Sequence, residues 1–459
     1  MQPPRRSLSL SCARAIRYNS SHYEFRGGGP LLRIAVLGLG TVGRQVVEVL
    51  DLERALFAAR LGEEIEVSHI LVRDPGKPRP ESVRSRITYD PRDVLEDPSV
   101  EVIVELMGGF EPAHSYIAEA MRRGKSVVTA NKEVIARSGP ELSRGGTPRA
   151  DLLFEAAVAG GIPIIRSLQE SLAGNRLHGI YGIVNGTTNF ILTRMHEDCV
   201  SFETALQEAK ERGYAEADPS DDLDAVDAAR KISILASLAF GGWVDVDAVG
   251  RIGIRNITAA DVREAKSLGA VIKLVARAES TPEGLALGVS PTLIPKNHPL
   301  ADVGGAQNAV YVRGEPIGQL LFEGPGAGGP ATSSAVIGDL LDAARARRVG
   351  GRSVALPLEP APLLPPEAHS HAYYLRLLVR EEAGALAAVA QAFASAGVSL
   401  RSVHQPPSGD AEAMISLVTR PTSRQQLERA REMLRGEHAV LREESCILAE
   451  MEAEAKTGA

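Results

Sequence analysis

Three features of the chain predict an α/β protein. Short apolar runs alternate with amphipathic segments from Leu32 onward, the pattern of strands feeding helices. A glycine-rich turn joins the first run to the first helix, as in nucleotide-binding βαβ units. Beyond a proline-rich stretch, the tail runs strand–helix–strand–strand–helix–strand, a ferredoxin-like order. These give an N-terminal Rossmann-like nucleotide-binding domain (31–155), an α+β second domain (156–350), a proline-rich linker (351–370) and a C-terminal ferredoxin-like domain (371–452).

Composition narrows the function classes. With 459 residues, 44% apolar and 24% charged, and a formal net charge of −7, the chain has the make-up of a globular multidomain protein. No apolar run approaches the ~18 residues of a membrane span. An acidic balance without basic stripes argues against a nucleic-acid surface. Cys12, Cys199 and Cys446 lie far apart, too few for a disulfide scaffold or a zinc cluster, and fit a reducing compartment such as the cytoplasm. The class that remains is a small-molecule enzyme.

Residues 1–30 stand apart. Arg5, Arg6, Arg14, Arg17 and Arg26 face only Glu24 among frequent serines, which is the chemistry of an organelle transit peptide or of a disordered extension. No Ala-x-Ala site follows a long apolar core, which speaks against secretion.

The first strand, Arg33–Leu37, runs into Gly38-Leu39-Gly40-Thr41-Val42-Gly43 and then into an amphipathic helix. Each glycine has its own reason: Gly38 makes the tight turn, Gly40 lets a pyrophosphate approach the backbone, and Gly43 lets helix and strand pack closely. The phosphates then meet Thr41 and Val42 at the helix N-terminus. The second strand, Glu64–Val72, ends beside the adenosine ribose, where an acid selects a 2′-OH and an arginine a 2′-phosphate. Arg73 comes first there, then Asp74, with Lys77 and Arg79 behind. That order favours NADP, with NAD the alternative. A turn at Asp97-Pro98 leads to a buried strand at Val100–Leu106, a helix at Ala113–Arg123 and a strand at Ser126–Thr129 ending in Ala130-Asn131-Lys132. Ligands gather at the carboxyl ends of such strands, which makes Lys132 a candidate site residue.

In the middle of the chain, the apolar Tyr181–Val184 is followed by Asn185-Gly186-Thr187-Thr188-Asn189. These small polar groups suit a ligand-lining backbone, or an Asn-Gly hairpin turn. An acidic stretch from Glu216 to Asp224 leads to Asp227 and Lys231, four apart and so on one helix face. The apolar Ile232–Ala236 places Lys231 near the buried side; burial lowers an ammonium's pKa, and a carboxylate neighbour keeps it charged. An ordinary exposed ion pair fits the same spacing. Further on, Ala259–Ala278 reads as a helix and a strand, and Val310–Val312 and Leu320–Phe322 as strands of the same mixed sheet.

Taken in order, these motifs resemble those of homoserine dehydrogenases. Besides GLGTVG they are TANK at Thr129–Lys132, FEAAVAGGIPII at Phe154–Ile165, IVNGTTNFIL at Ile183–Leu192, RGYAEADPSDDL at Arg212–Leu223, DAARK at Asp227–Lys231 and GPGAGG at Gly324–Gly329. The resemblance implies hydride transfer between homoserine and aspartate 4-semialdehyde on a nicotinamide cofactor, in threonine, methionine and isoleucine biosynthesis. It implies Lys231 as acid/base and Lys132 as a second active-site lysine, each ammonium depressing the other's pKa. It puts Glu216, Asp222 and Asp227 on the substrate's amino group and hydroxyl, Gly186 and Thr187 along the substrate, and Gly213 and Gly326 against the cofactor. It makes the carbonyls of Glu155, Val158, Gly160 and Ile162 ligands of a structural sodium ion, hard donors for a hard cation. Two positions depart from the family's glycines: Ala225, expected to sit without cost in a helix, and Ala159, a concern only where its φ is positive. The family assembles as dimers or tetramers.

In the tail, strands at Tyr373–Val379, Val398–Gln405, Ala413–Thr419 and Glu444–Ala449 flank helices at Gly384–Ala396 and Gln425–Leu434. This resembles an ACT domain, a fold that commonly binds amino acids at subunit interfaces. Its Asp-x-Pro-Gly turn is replaced by Glu381-Glu382-Ala383-Gly384, and its Thr-His by Thr419-Arg420, so threonine sensing and a purely dimerising tail are both open. Another NAD(P)-linked amino-acid oxidoreductase would not need the GTTN and DAARK blocks. A non-catalytic amino-acid sensor would not need Lys132 with Lys231.

Overall fold

The computed structural model describes residues 30–349, 356–407 and 411–449. The N-terminal extension, with Cys12, and the start of the proline-rich linker lie outside the described residues. The nucleotide-binding part comprises β1 (Leu31–Leu37), α1 (Thr41–Leu52), β2 (Glu64–Leu71), β3 (Ile87–Thr88), β4 (Val102–Glu105), α2 (Ala113–Arg122), β5 (Ser126–Thr129), α3 (Lys132–Gly145) and β6 (Leu152–Leu153). Its strands form one parallel sheet in the order β3-β2-β1-β4-β5-β6. Side chains alternate across a strand, so Ile34 and Val36 pack with Val46 of α1 while Ala35 and Leu37 pack with Ile117 of α2. Both faces are covered, which is why β1 reads as a continuous apolar run. The strand order reverses between β1 and β4, opening a crevice at their carboxyl ends where ligands bind.

The rest is built on β7 (Arg176–Ile183), α4 (Gly186–Asp198), α5 (Val226–Phe240), β8 (Gly250–Arg251), α6 (Ala259–Ser267), β9 (Ala270–Thr281), β10 (Gly284–Pro295), β11 (Gln307–Glu315), β12 (Gly318–Pro325) and α7 (Gly329–Val349). The tail follows with β13 (Ser370–Arg380), α8 (Ala385–Ser395), β14 (Leu400–His404), β15 (Glu412–Thr419), β16 (Thr422–Ser423), α9 (Arg424–Gly436) and β17 (Val440–Ala449). The segment at Asn185-Gly186 opens α4 instead of a hairpin, because the Asn185 side chain caps the helix by accepting from the Thr188 N–H. Although α7 belongs to the 156–350 stretch, its Val336, Leu340 and Ala344 join the core of β1 and α1.

The tail has the ferredoxin-like strand order β17-β13-β15-β14, yet it is not a separate sheet. It continues the middle sheet, β12-β11-β7-β9-β10, through a parallel seam at Thr292–Leu448 and Leu293–Ala449. A buried ion pair ties the tail to the second domain: Arg376 of β13 donates to Asp261 of α6 at 2.8 Å and to Thr258, the N-cap of α6, at 3.0 Å. The described part of the proline-rich linker is a strap along the second domain. Backbone bonds tie Glu359 and Ala361 to Trp243, and Pro362 and Leu364 to Leu285. No helix among the described residues is long and apolar enough to cross a membrane.

Candidate active site

The three loops that end β1, β4 and β5 meet at the switch point. Gly38 has φ +99°, and a Cβ there would lie 2.7 Å from the Leu106 carbonyl oxygen. A Cβ on Gly43 would lie 2.1 Å from the Gly38 oxygen. Both glycines are demanded by the protein's own backbone. Gly40 is different: it has φ −77° and its Cβ would meet nothing within 4 Å, so the space it leaves open is space for a ligand. Behind it α1 begins without a side-chain cap, leaving free N–H groups and a positive dipole end. These residues fit a dinucleotide pyrophosphate. The Gly324–Gly329 loop closes over them, since a Cβ on Gly329 would sit 3.4 Å from the Thr41 methyl. Gly326 lies against Asn308, whose Cγ would be 2.0 Å from an added Cβ.

Glu105, which the sequence reading did not single out, organises the loops. Fully buried, it accepts from the Met107 N–H at 2.7 Å and from the Thr129 hydroxyl at 2.6 Å. Thr129 in turn accepts from the Asn131 N–H, and Asn131 caps α3 while donating to the Gly109 carbonyl at 2.7 Å. Burial pushes the Glu105 pKa up, against the hydrogen bonds it accepts. A lone acid at the end of an apolar strand was the available signal. The network aims Lys132, the first residue of α3, at the second domain.

There the two predicted lysines converge on one carboxylate. Lys231 Nζ donates to Asp227 at 2.7 Å and to the Val184 carbonyl at 2.6 Å. Lys132 Nζ lies 3.0 Å from the other Asp227 oxygen. Asn185 donates to Asp227 at 2.9 Å and to Asp222 at 2.6 Å. An ammonium has three donors, so Lys231 keeps one for a substrate oxygen. Burial lowers the Lys231 pKa and the Lys132 charge lowers it further, with Asp227 opposing. For Asp227, burial works upward, but the two ammoniums outweigh it and hold the carboxyl below its ordinary range. Burial raises Asp222, with the Asp227 charge adding to it. The expectation that each lysine depresses the other holds for Lys231 only; at Lys132 the attraction of Asp227 prevails and its pKa is raised.

The remaining predicted residues are placed unevenly. Thr187 is buried and donates to the Tyr214 carbonyl at 2.7 Å, which ties the Gly213-Tyr214 turn to α4. Gly186 stands where a Cβ would meet the Ala306 oxygen at 2.8 Å. Glu216 is exposed and no hydrogen bond or ion pair among the described residues holds it to the cluster. Arg73 is exposed at the end of β2, whereas Arg79 is spent on the Asp74 and Lys77 carbonyls. Ala225 does not sit in a helix but caps one at φ +62°; the expectation of no cost is corrected, because an L-residue there is strained. Ala159 also has positive φ, +56°, followed by Gly160 at +58°. In that loop the carbonyls of Glu155 and Ile162 already accept N–H bonds from Val158 and Ile164, and a second lone pair remains on each. Among the described residues no group of three or more His, Cys, Asp or Glu side chains could hold a metal ion.

Comparison with known proteins gives the family of these domains. The family model for the homoserine dehydrogenase NAD-binding domain matches residues 38–144. The model for homoserine dehydrogenase matches 163–341 and that for the ACT domain 373–436. Homoserine dehydrogenase from Synechocystis is 43% identical over 405 residues, covering 84% of this chain and 92% of that one. The chain belongs to the homoserine dehydrogenase family. The Bacillus subtilis enzyme is 39% identical, with 85% of this chain and 92% of that one covered. Among solved structures, homoserine dehydrogenase from Thiobacillus denitrificans superposes with a TM-score of 0.87 at 38% identity, covering 92% of this chain and 99% of that one. A hyperthermophilic archaeal homoserine dehydrogenase mutant, solved in complex with NADPH, has a TM-score of 0.59 at 31% identity, covering 68% of this chain and 97% of that one.

Proposed function

We propose that this homoserine dehydrogenase works with Lys231 as its acid/base, and the observation that carries the assignment is the convergence of Lys231 and Lys132 on Asp227, at 2.7 and 3.0 Å. The nicotinamide, when bound, takes or gives the hydride. In homoserine oxidation Lys231 takes the hydroxyl proton as hydride leaves C4; in aspartate 4-semialdehyde reduction it returns the proton to the new alkoxide. A general base works best with its pKa near the operating pH, and burial with the neighbouring Lys132 moves Lys231 that way. Lys132 stays charged and stabilises the developing alkoxide. Asp222, with Glu216 from the exposed turn, receives the substrate's amino group, and Gly186 and Thr187 line it.

The cofactor reading is NADP, held by Gly38, Gly40, Thr41, Val42 and Gly43, with Gly213 and Gly326 along it and Lys132 beside its reactive end. Arg73 supports the 2′-phosphate, being exposed and free of ion pairs among the described residues; NAD is the alternative. A sodium ion on the carbonyls of Glu155, Val158, Gly160 and Ile162 would brace the loop against Gly326. We infer a homodimer or homotetramer, supported by β12, a sheet edge that exposes Leu321. The tail is proposed to sense threonine. The free thiols of Cys199 and Cys446 support a cytoplasmic setting, with organelle import the alternative.

The test is absorbance at the reduced-nicotinamide band, with homoserine and NADP or NAD, with and without threonine, on wild type and Lys231→Ala. Turnover lost in the variant while cofactor still binds upholds the assignment. Unchanged turnover would move the acid/base role elsewhere.

A further inference from the structure

A cavity of about 250 Å³ lies where the tail docks on the second domain, between β8 and β10 on one side and β13, α9 and β17 on the other. Arg277 of β9 lines it and is only 4% exposed. Its Nη2 donates to the Thr292 hydroxyl at 2.7 Å, but its Nε has no partner, and no carboxylate pairs with it among the described residues. A buried guanidinium without a counter-charge is costly, so the site is incomplete as it stands. The surroundings add positive potential. Arg251 and Arg424, both exposed, stand on the walls, while His371 on the same lining is kept neutral, its pKa pushed down to about 3 by burial and by the Arg277 charge. Among the described residues the only acid on the lining is Glu428, which is taken by Arg431 at 2.6 Å.

We propose that this cavity binds a small organic acid, its carboxylate on Arg277. The flat guanidinium fork matches a carboxylate, and Leu287 and other apolar groups of the lining suit a short aliphatic body. Because Arg251 and Arg277 come from the second domain and His371 and Arg424 from the tail, the ligand bridges the two. Arg277 is the register partner of Tyr181 in β7, the strand that leads to the Val184 carbonyl held by Lys231. This rests on the reading of the tail as an amino-acid sensor, but its site is the seam within one chain, and its readout needs no turnover.

The experiment is thermal unfolding of the full-length, cofactor-free protein with a panel of the common amino acids and short-chain carboxylic acids, the carboxamide of each hit, and inorganic phosphate. The expected result is a rise of a few degrees in Tm with at least one acid and none with its carboxamide. The rise should persist in Lys231→Met and vanish in Arg277→Met, and the two variants together place the ligand at the seam. Replacing an unpaired buried charge by an apolar isostere does not endanger the fold, and Thr292 keeps its bond to the Ser290 carbonyl. Arg424→Ala, at an exposed position, should weaken the rise several-fold. No rise with any acid, an equal rise with phosphate, or a rise that survives Arg277→Met would overturn the proposal.

Discussion

Gly40→Ala separates cofactor binding from folding in one residue. The backbone at Gly40, φ −77° and ψ −160°, is open to any residue, and the added methyl would meet no protein atom within 4 Å. The folded state therefore loses nothing, and the stiffer unfolded chain gains the protein about 0.4–1 kcal/mol. A bound pyrophosphate meets a different situation, since the methyl occupies its path to the backbone N–H groups of α1. Losing one charge-assisted hydrogen bond costs about 1.5–3 kcal/mol, which at 1.4 kcal/mol per decade is about a 10- to 150-fold rise in Kd. Fluorescence titration with NADPH, beside urea denaturation of the same samples, measures both effects. Gly43→Ala is the contrast, because its Cβ would press on the Gly38 oxygen at 2.1 Å and should lower stability before any cofactor is added. Unchanged NADPH affinity in folded Gly40→Ala would refute the placement of the phosphates, and a clear loss of stability would refute the open space.

Three further outcomes follow from the buried charges. Asp227→Asn removes the attraction that raises the Lys231 pKa, so the limb of the homoserine-oxidation profile that requires neutral Lys231 should move to lower pH; a stationary limb would break the link. Lys273 is buried on Asn189 and the Val303 carbonyl, and burial lowers its pKa from 10.5 to about 8. Its unfolded form then holds more protons than its folded form between pH 8 and 10.5, so stability gained from this group rises with pH across that window, by about 3 kcal/mol. The difference between wild type and Lys273→Met, measured by denaturant unfolding at neutral and alkaline pH, should grow in favour of wild type by that amount. Asp261→Asn takes the nearer carboxylate from the Arg376 guanidinium, 5% exposed, and leaves it Glu444 at 3.9 Å; it should cost up to about 3 kcal/mol, read as earlier unfolding of the tail in hydrogen exchange.

Much of this protein was legible in local sequence. The strand–turn–helix of GLGTVG, the βα units to Lys132 and the order of the tail depend on contacts within a few residues, which apolar period and glycine placement report directly. The Asp227–Lys231 pair was legible for the same reason, being one helical turn apart. What the sequence could not display is what arises between distant segments. Lys132 meets Asp227 only because Glu105, Thr129 and Asn131 aim one strand end at a helix of the other domain. Ala225 is strained because the chain turns left-handed to start α5 at a point set by packing. The joining of tail and second domain into one sheet, and the unpaired Arg277 beside that seam, follow from edge strands finding each other. Sequence alone determined the elements and the chemistry of their residues; tertiary structure decided which charges share a site, because burial and pairing, unlike helical period, are properties of the packed whole.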